Sequence, residues 1–351
     1  MQILTIETTC DETAAAVVSD RLEVLGAVVA SQDQLHVRFQ GVVPEIAARA
    51  HVERILPVID EALRRAGRTL HEMDAIAVAN TPGLAGSLLV GLVAAKTLCL
   101  ALNKPLVAVN HLYAHIYACK IASGRDVFPC VGLIVSGGHS SLYHCVSSFE
   151  FRQLGGTIDD AAGEAFDKVA SMLGLPYPGG PAISRAAESG DPRAYRFPRA
   201  LLKDDERLDF SFSGLKTAVR YQIAGPGRPD FRAVKLEPQT LADLAASFQE
   251  AVVDCLVGKA MLAVRKTGLR MVCVGGGVAA NRRLRTRLQE EAQRAGVELL
   301  IAPLALCTDN AVMGAIAIER LQAGLVENLE LDVYPGMVRL SIRGWSGCRP
   351  T

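Results

Sequence analysis

Net charge is missing from this 351-residue chain, in which 37 Lys and Arg balance 37 Asp and Glu. A protein that grips nucleic acid unaided is usually basic, so any RNA contact must be a local patch or be shared with a partner. Paired cysteine motifs are missing too. The nine cysteines (10, 99, 119, 130, 145, 255, 273, 307 and 348) are odd in number and scattered, with no C-x-x-C, which argues for reduced, buried thiols in a cytosolic setting. No charged segment followed by an apolar one opens the chain; Ile3–Ile6 reads directly as a strand. The most apolar stretch, Ala85–Leu100, contains Lys96 and several small residues and stops short of a convincing membrane span, so it reads as a buried helix. Neither G-x-x-x-x-G-K-[ST] nor G-x-G-x-x-G occurs, which removes the P-loop and dinucleotide fingerprints.

What remains is a globular balance, with half of the residues apolar and about a fifth charged, long enough for two lobes. Strand and helix patterns alternate, as in an α/β protein. Strands are expected at 2–7, 14–19, 25–30, 74–79, 106–109, 130–136, 140–146, 270–274 and 297–301. Helices are expected at 44–66, 85–102, 110–122, 159–173, 239–267, 280–295 and 309–323, the first kinked at Pro57. Residues 3–18 and 130–145 read as versions of one another: apolar strand, short polar turn, alternating strand. Two such hairpins predict a duplicated fold with a cleft between its halves. Residues 186–238, rich in proline and charge, read as an insertion over that cleft, with the island F-S-F-S-G-L-K-T (210–217) docked into it.

H-L-Y-A-H places His111 and His115 four apart on one helix face, a spacing that suits two nitrogen ligands of one metal. Asp309, in C-T-D-N after an apolar strand, is the best third ligand; two His and one carboxylate leave open positions for catalysis. The same spacing fits two surface histidines and an N-capping aspartate equally well. H-x-x-x-H lacks the Glu of H-E-x-x-H, which counts against peptidase chemistry. V-S-G-G-H (135–139) and V-G-G-G-V-A-A-N (274–281) follow apolar strands, where glycines let the backbone approach a phosphate or a base. Asn281 enters a helix and can bond a ribose or purine edge, Asp167 can accept from ribose hydroxyls, and Gly180 in Y-P-G-G-P offers another close approach. Singly these are ordinary turns; together, at strand and helix ends, they favour a nucleotide cleft.

I-E-T-T-C-D-E-T (6–13), G-V-V-P-E (41–45), P-G-L (82–84), N-H-L-Y-A-H (110–115), V-S-G-G-H, D-D-A-A-G-E-A-F-D-K (159–168), Y-P-G-G-P (177–181), F-S-F-S-G-L-K-T, G-G-G-V-A-A-N and C-T-D-N-A (307–311) together resemble the tRNA N6-adenosine threonylcarbamoyltransferases, over nearly the whole chain. The resemblance implies two ribonuclease-H-like lobes of the sugar-kinase/chaperone/actin-like ATPase superfamily. The lobes would be 1–108, with 325–351 returning to it, and 109–324. It implies a divalent metal, Fe2+ or alternatively Zn2+, at His111, His115 and Asp309. Adenylate binding falls to Ile134, Val135, Ser136, Gly137, Gly138, Asp167, Gly180 and Asn281. The implied partners are threonylcarbamoyl-AMP, tRNA, an inactive paralogous subunit and a small P-loop ATPase, in the cytoplasm and with no membrane; helices 44–66 and 85–102 offer an interface. The chain departs from the family at Thr81 and Gln40, where Gly is usual, and at Ser184, where some members carry a ligand-contacting Asp.

Such a transfer needs a proton taken from a weakly nucleophilic amine, and Asp11 and Glu12, at the tip of the first hairpin, are the candidates; the bland role for them is turn capping. Cys10 reads as an inert thiol rather than a nucleophile, and His139 as a phosphate or metal contact or a structural hydrogen bond. Arg282, Arg283, Arg285 and Arg287, or the tail with Arg339, Arg343 and Arg349, could meet RNA. An actin-like ATPase or kinase shares the fold but has no need of the two histidines, and a non-catalytic scaffold would be expected to lose them.

Overall fold

The computed structural model describes residues 1–225 and 235–336. Two five-stranded sheets carry the molecule. The first is built from β1 (Gln2–Glu7), β2 (Glu12–Ser19), β3 (Val24–Ser31), β4 (Ala75–Thr81) and β5 (Leu106–Asn110), in the order β3-β2-β1-β4-β5. The second contains β6 (Cys130–Val135), β7 (Ser140–Ser147), β8 (Glu150–Gly156), β9 (Met271–Gly275) and β10 (Glu298–Ile301), in the order β10-β9-β6-β7-β8. In each, three antiparallel strands are followed by two parallel ones, so β1 corresponds to β6 and β5 to β10. The duplicated hairpins read from sequence are β1-β2 and β6-β7.

Parallel neighbours need long crossovers, and helices supply them. In the first lobe these are α1 (Pro44–Ala66) and α2 (Ala85–Leu102). Pro44 opens α1, where its missing N–H costs nothing, and Gly67 at φ 61° closes it. Ile55, Val58, Ile59, Ala62 and Leu63 of α1 join Leu4 and Ile6 of β1 in one core. The other face of β1, through Ile3, packs into a larger core shared with the second lobe. That core is centred on α3 (His111–Ser123), which leads from β5 into the second sheet. The second lobe adds α4 (Ala162–Met172), α5 (Gly179–Ala186), α6 (Ser213–Ala224), α7 (Pro238–Thr267), α8 (Arg282–Ala295) and α9 (Ile316–Gln322). Beyond α9 the chain turns back: Glu327 bridges Leu106, Tyr334 N–H donates to Asn80 O at 2.9 Å, and Leu331 enters the first core.

Several expectations need correction. α2 is not buried: Leu88, Leu92, Ala95 and Cys99 face the sheet, while Leu89, Val93 and Leu100 lie exposed. By length and composition α2 would also cross a membrane, but here it serves as the β4–β5 crossover. The island 210–217 does not dock into a cleft. Phe210 and Phe212 are fully buried in the second core, and Phe210 exchanges backbone hydrogen bonds with Gly156 and Ile158 at the β8 edge. Its continuation is a helix, α6, whose first N–H groups are satisfied by Asp159, the acceptor for Phe212 and Ser213. The helix expected at 309–323 begins later: a short helix at Leu304–Cys307, a bend and a 3-10 turn at Val312–Ala315 precede α9. Strand β8 and helix α5 had no expectation. Arg339, Arg343, Arg349 and Cys348 lie outside the described residues.

Candidate active site

The site gathers at the carboxyl ends of corresponding strands: the β1-β2 turn, the β6-β7 turn, the start of α3 after β5, and the bend after β10. Asn110 caps α3, accepting from Leu112 N–H at 2.9 Å. His111 and His115 therefore leave the first turns of a fixed helix, both buried, with ring centroids 4.6 Å apart. Asp309 stands in the bend opposite. Its Oδ1 is 3.5 Å from His111 Nε2 and 3.3 Å from His115 Nε2. Asp309 is not the cap of the following helix; its neighbour Asn310 takes that work, accepting from Met313 N–H at 3.2 Å. The capping alternative for Asp309 thus has no support.

The donor set fits a metal ion. The three ligand atoms lie within 4.8 Å of one another. Bonds of about 2.0–2.2 Å in a tetrahedral arrangement set donor atoms about 3.3–3.6 Å apart, close to the separations seen. His115 is fully buried, yet among the described residues neither ring nitrogen finds an aligned hydrogen bond, a costly state that a bound cation would relieve. The group is a candidate divalent-metal site.

Electrostatics are polarised around it. Burial alone would lower His111, but the carboxylates of Asp309 and Glu7 outweigh it and raise the ring to about 9. Burial wins at His115 and lowers it. Burial would raise Asp309, but His111 and His115 hold it well below the usual carboxylate range. His139 is pushed down to about 4 by burial and by the two neighbouring histidines, so it stays neutral. Glu7 was not anticipated. It is buried at the end of β1, its Oε2 3.2 Å from His111 Nδ1 and its Oε1 accepting Thr9 N–H at 2.8 Å. The one local signal was a carboxylate where strand β1 should carry another apolar residue.

The first turn brings Asp11 and Glu12 close to a third acid, Asp33. Asp11 is almost fully buried and is raised, first by burial. Glu12 rises to about 11 through burial and the charges of Asp309 and Asp11. Cys10, beside them, is pushed well up by burial and the same acids, so it remains a thiol.

The second turn presents Ser136, Gly137 and Gly138. An added Cβ on Gly137 or Gly138 would meet nothing within 4 Å, and the same holds for Gly180. These three face open space. Gly275 and Gly276 do not: a Cβ there would strike His115 O or Val135 O at 2.4 Å, so these two serve close packing, whereas Gly277 next to them again faces open space. Ile134 and Val135 are fully buried in β6. Asp167 Oδ1 accepts Gly179 N–H at 2.7 Å and is raised to about 6, chiefly by burial. Asn281 caps α8 through Leu284 N–H at 3.0 Å and donates to Gln249 Oε1 at 2.7 Å, so both ends of its amide are engaged. The arginine row of α8 is largely committed: Arg283 and Arg287 pair with Glu250, and Arg285 donates to Ala302 O at 2.7 Å. Arg282 alone of the four is widely exposed.

The class of protein follows from the fold: two lobes of one strand order, with polar turns at their facing strand ends, define an actin-like ATPase-fold protein. Among solved structures, T. kodakarensis HypF matches with a TM-score of 0.60 at 15% identity, covering 92% of this chain and 48% of that one. The (R)-2-hydroxyglutaryl-CoA dehydratase component A of Acidaminococcus fermentans matches with a TM-score of 0.50 at 17% identity, covering 91% and 96%. Likeness at that identity speaks of the fold alone. Sequence narrows it. The model of the family described as tRNA N6-adenosine threonylcarbamoyltransferase matches residues 23–316. A tRNA N6-adenosine threonylcarbamoyltransferase of Rhodopirellula baltica is 56% identical over 348 residues, covering 96% of this chain and 97% of the relative. That of Bacillus subtilis is 48% identical over 349 residues, covering 97% and 98%. The chain belongs to the tRNA N6-adenosine threonylcarbamoyltransferase family, and its activity is the threonylcarbamoylation of tRNA.

Proposed function

We propose that the chain moves the threonylcarbamoyl group from threonylcarbamoyl-AMP to N6 of adenosine 37, beside the anticodon, in tRNAs reading codons that begin with A. The observation that carries this reading is the buried His111, His115 and Asp309 group, which lies within electrostatic reach of the acidic turn and of His139. Those three residues hold one divalent ion, Fe2+ or alternatively Zn2+. When bound, the ion supplies Lewis-acid polarisation of the carbonyl under attack.

The new bond joins adenine N6 to the carbamoyl carbon, the bond from that carbon to the phosphate oxygen breaks, and AMP leaves. The N6 amine is a poor nucleophile, since its lone pair is delocalised into the ring, so its proton must be taken as it attacks. Asp11 and Glu12 lie side by side in a buried place that raises both; Glu12 holds its proton, so Asp11 is the member of the pair that takes the proton from N6. Gly137 and Gly138 receive the adenylate phosphate on the turn between them and Ser136, whose own N–H donates to His139 O at 2.8 Å, with Ile134 and Val135 as rigid support. Gly180 gives the base a second close approach, and Asp167 and Asn281 border the ribose.

The exposed Val52 and Leu56 of α1 and Leu89 and Val93 of α2 form an apolar face on two helices that pack together. This face takes the inactive paralogous subunit, and a small P-loop ATPase completes a cytoplasmic complex. Shared tRNA binding accounts for a chain of zero net charge.

The test is nucleoside mass spectrometry of unmodified tRNA incubated with the protein, threonylcarbamoyl-AMP and the partner subunits, with His111→Ala as control. Threonylcarbamoyladenosine at position 37, lost in the control, is the expected result. No product with partners that serve another family member would overturn the reading.

A further inference from the structure

His111 and His115 differ in one respect that matters to any ion between them. Among the described residues the Nδ1 of His115 is buried without a hydrogen-bond partner, so no group holds that side of the ring. The Nδ1 of His111 faces two oxygens, Glu7 Oε2 and Thr9 Oγ1, each at 3.2 Å. Glu7 is 3% exposed and is itself fixed, because its other oxygen accepts Thr9 N–H at 2.8 Å. Glu7 ends β1, while His111 begins α3, 104 residues later. A carboxylate held this way can only accept, so Nδ1 must carry the hydrogen. Once the ring gives up its second proton, as a metal ligand must, Nε2 is left as the bare lone pair, and it is Nε2 that lies 3.5 Å from Asp309 Oδ1.

We propose that Glu7 is the positioning residue of the metal centre: it locks the His111 tautomer and ring so that Nε2 is presented to the ion. The proposal rests on the reading of His111, His115 and Asp309 as the metal site. Its alternative is that Glu7 merely ties the β1-β2 turn through Thr9 N–H. The two differ sharply for Glu7→Gln. The backbone N–H of Thr9 demands an acceptor, so the amide oxygen turns to it and the amide NH2 turns to His111. Nδ1 must then accept, the hydrogen moves to Nε2, and the lone pair facing Asp309 is lost. Glutamine thus keeps the turn and spoils the ligand. Ligand-orienting partners of this kind are worth about 10–100-fold in metal affinity.

The experiment uses the full chain, stripped with chelator and titrated with Zn2+ against a chromophoric competitor. The visible spectrum of the Co2+-loaded protein reports ligand geometry, and a thermal melt checks the fold of each variant. Glu7→Gln is expected to melt close to the parent yet bind Zn2+ about 10–100-fold more weakly, with a weakened or shifted Co2+ spectrum. Thr9→Val removes only the neutral neighbour and is expected to stay within about twofold. A folded Glu7→Gln protein with parental affinity and spectrum overturns the proposal and leaves the metal site standing. Parental Zn2+ affinity in His111→Ala would overturn the metal site itself, and the role of Glu7 with it.

Discussion

The turn from β1 to β2 and the turn from β6 to β7 hold equivalent places in two sheets of one strand order, yet they are furnished in opposite ways. The first is acidic and clamped. Cys10 O accepts from His51 Nε2 at 3.0 Å and Ser87 Oγ at 3.2 Å, Thr8 Oγ1 donates to Ser87 O at 2.9 Å, and Gln32 N–H donates to Asp11 O at 3.0 Å. The second carries no carboxylate and is tied from behind: Ser136 O and Gly137 O accept from Gly163 and Glu164 at 3.3 and 2.9 Å, leaving the glycine Cα atoms in open space. One turn holds carboxyls whose grip on their protons burial strengthens; the other leaves backbone where a phosphate can approach. On the function proposed above, a duplicated scaffold separates proton handling from anion binding, with the histidines of α3 and Asp309 between them.

Substitutions can break that division. The largest effect is expected at the acidic turn: Asp11→Asn should lower kcat by about 10²–10⁴-fold with the adenylate KM little changed, measured by steady-state transfer. A KM effect alone would move Asp11 to the binding side. Next comes the glycine turn. Gly137→Val should weaken adenylate binding by roughly tenfold, read by calorimetry with a non-hydrolysable analogue, while the fold is kept. Gly163→Ala acts on the same turn from behind, since its Cβ would lie 2.5 Å from Ser136 O. It should cost about 1–3 kcal/mol in denaturant unfolding.

A smaller effect follows pH. His111 rises from 6.5 to about 9 in the folded, metal-free chain, so its protonation stabilises that state fully below pH 6.5 and the contribution fades as pH climbs through about 9. The melting temperature of chelator-stripped protein should fall across that window. Metal affinity should rise over the same window, because the ion competes with the proton. The smallest effects concern α8: Arg283→Ala should lose about 1 kcal/mol of stability through Glu250 and leave tRNA binding intact, while Arg282→Ala should weaken tRNA slightly and leave stability alone, as filter binding and melts can tell apart.

The sequence disclosed what is periodic or local. Both hairpins, α1, α2, α3 and α7 follow from apolar spacing, and H-L-Y-A-H put two rings on one face. What stayed hidden depends on distant contacts. Strand β8 carries Arg152 and Gln153 and buries little beyond Phe151, so its alternation is faint. Helix α5 opens on Gly179 and Gly180, poor helix formers, and relies on Asp167 to receive its first N–H. The island at 210–217 has phenylalanines two apart, a strand signal, and they do lie at a strand edge. No local rule says that this edge belongs to the second core rather than to the cleft. Glu7 reads as an anomaly in a strand until His111 is brought to it.

Transfer at the three-residue centre is tested most directly by measuring it against metal occupancy. Chelator-stripped protein is reloaded in steps with Fe2+ or Zn2+, and product on tRNA is counted in a single turnover beside bound metal. Product should rise in proportion to metal, saturate at one ion per chain, and be absent in Asp309→Ala at every loading. Full transfer by metal-free protein, or by Asp309→Ala, would remove the ion from the reaction.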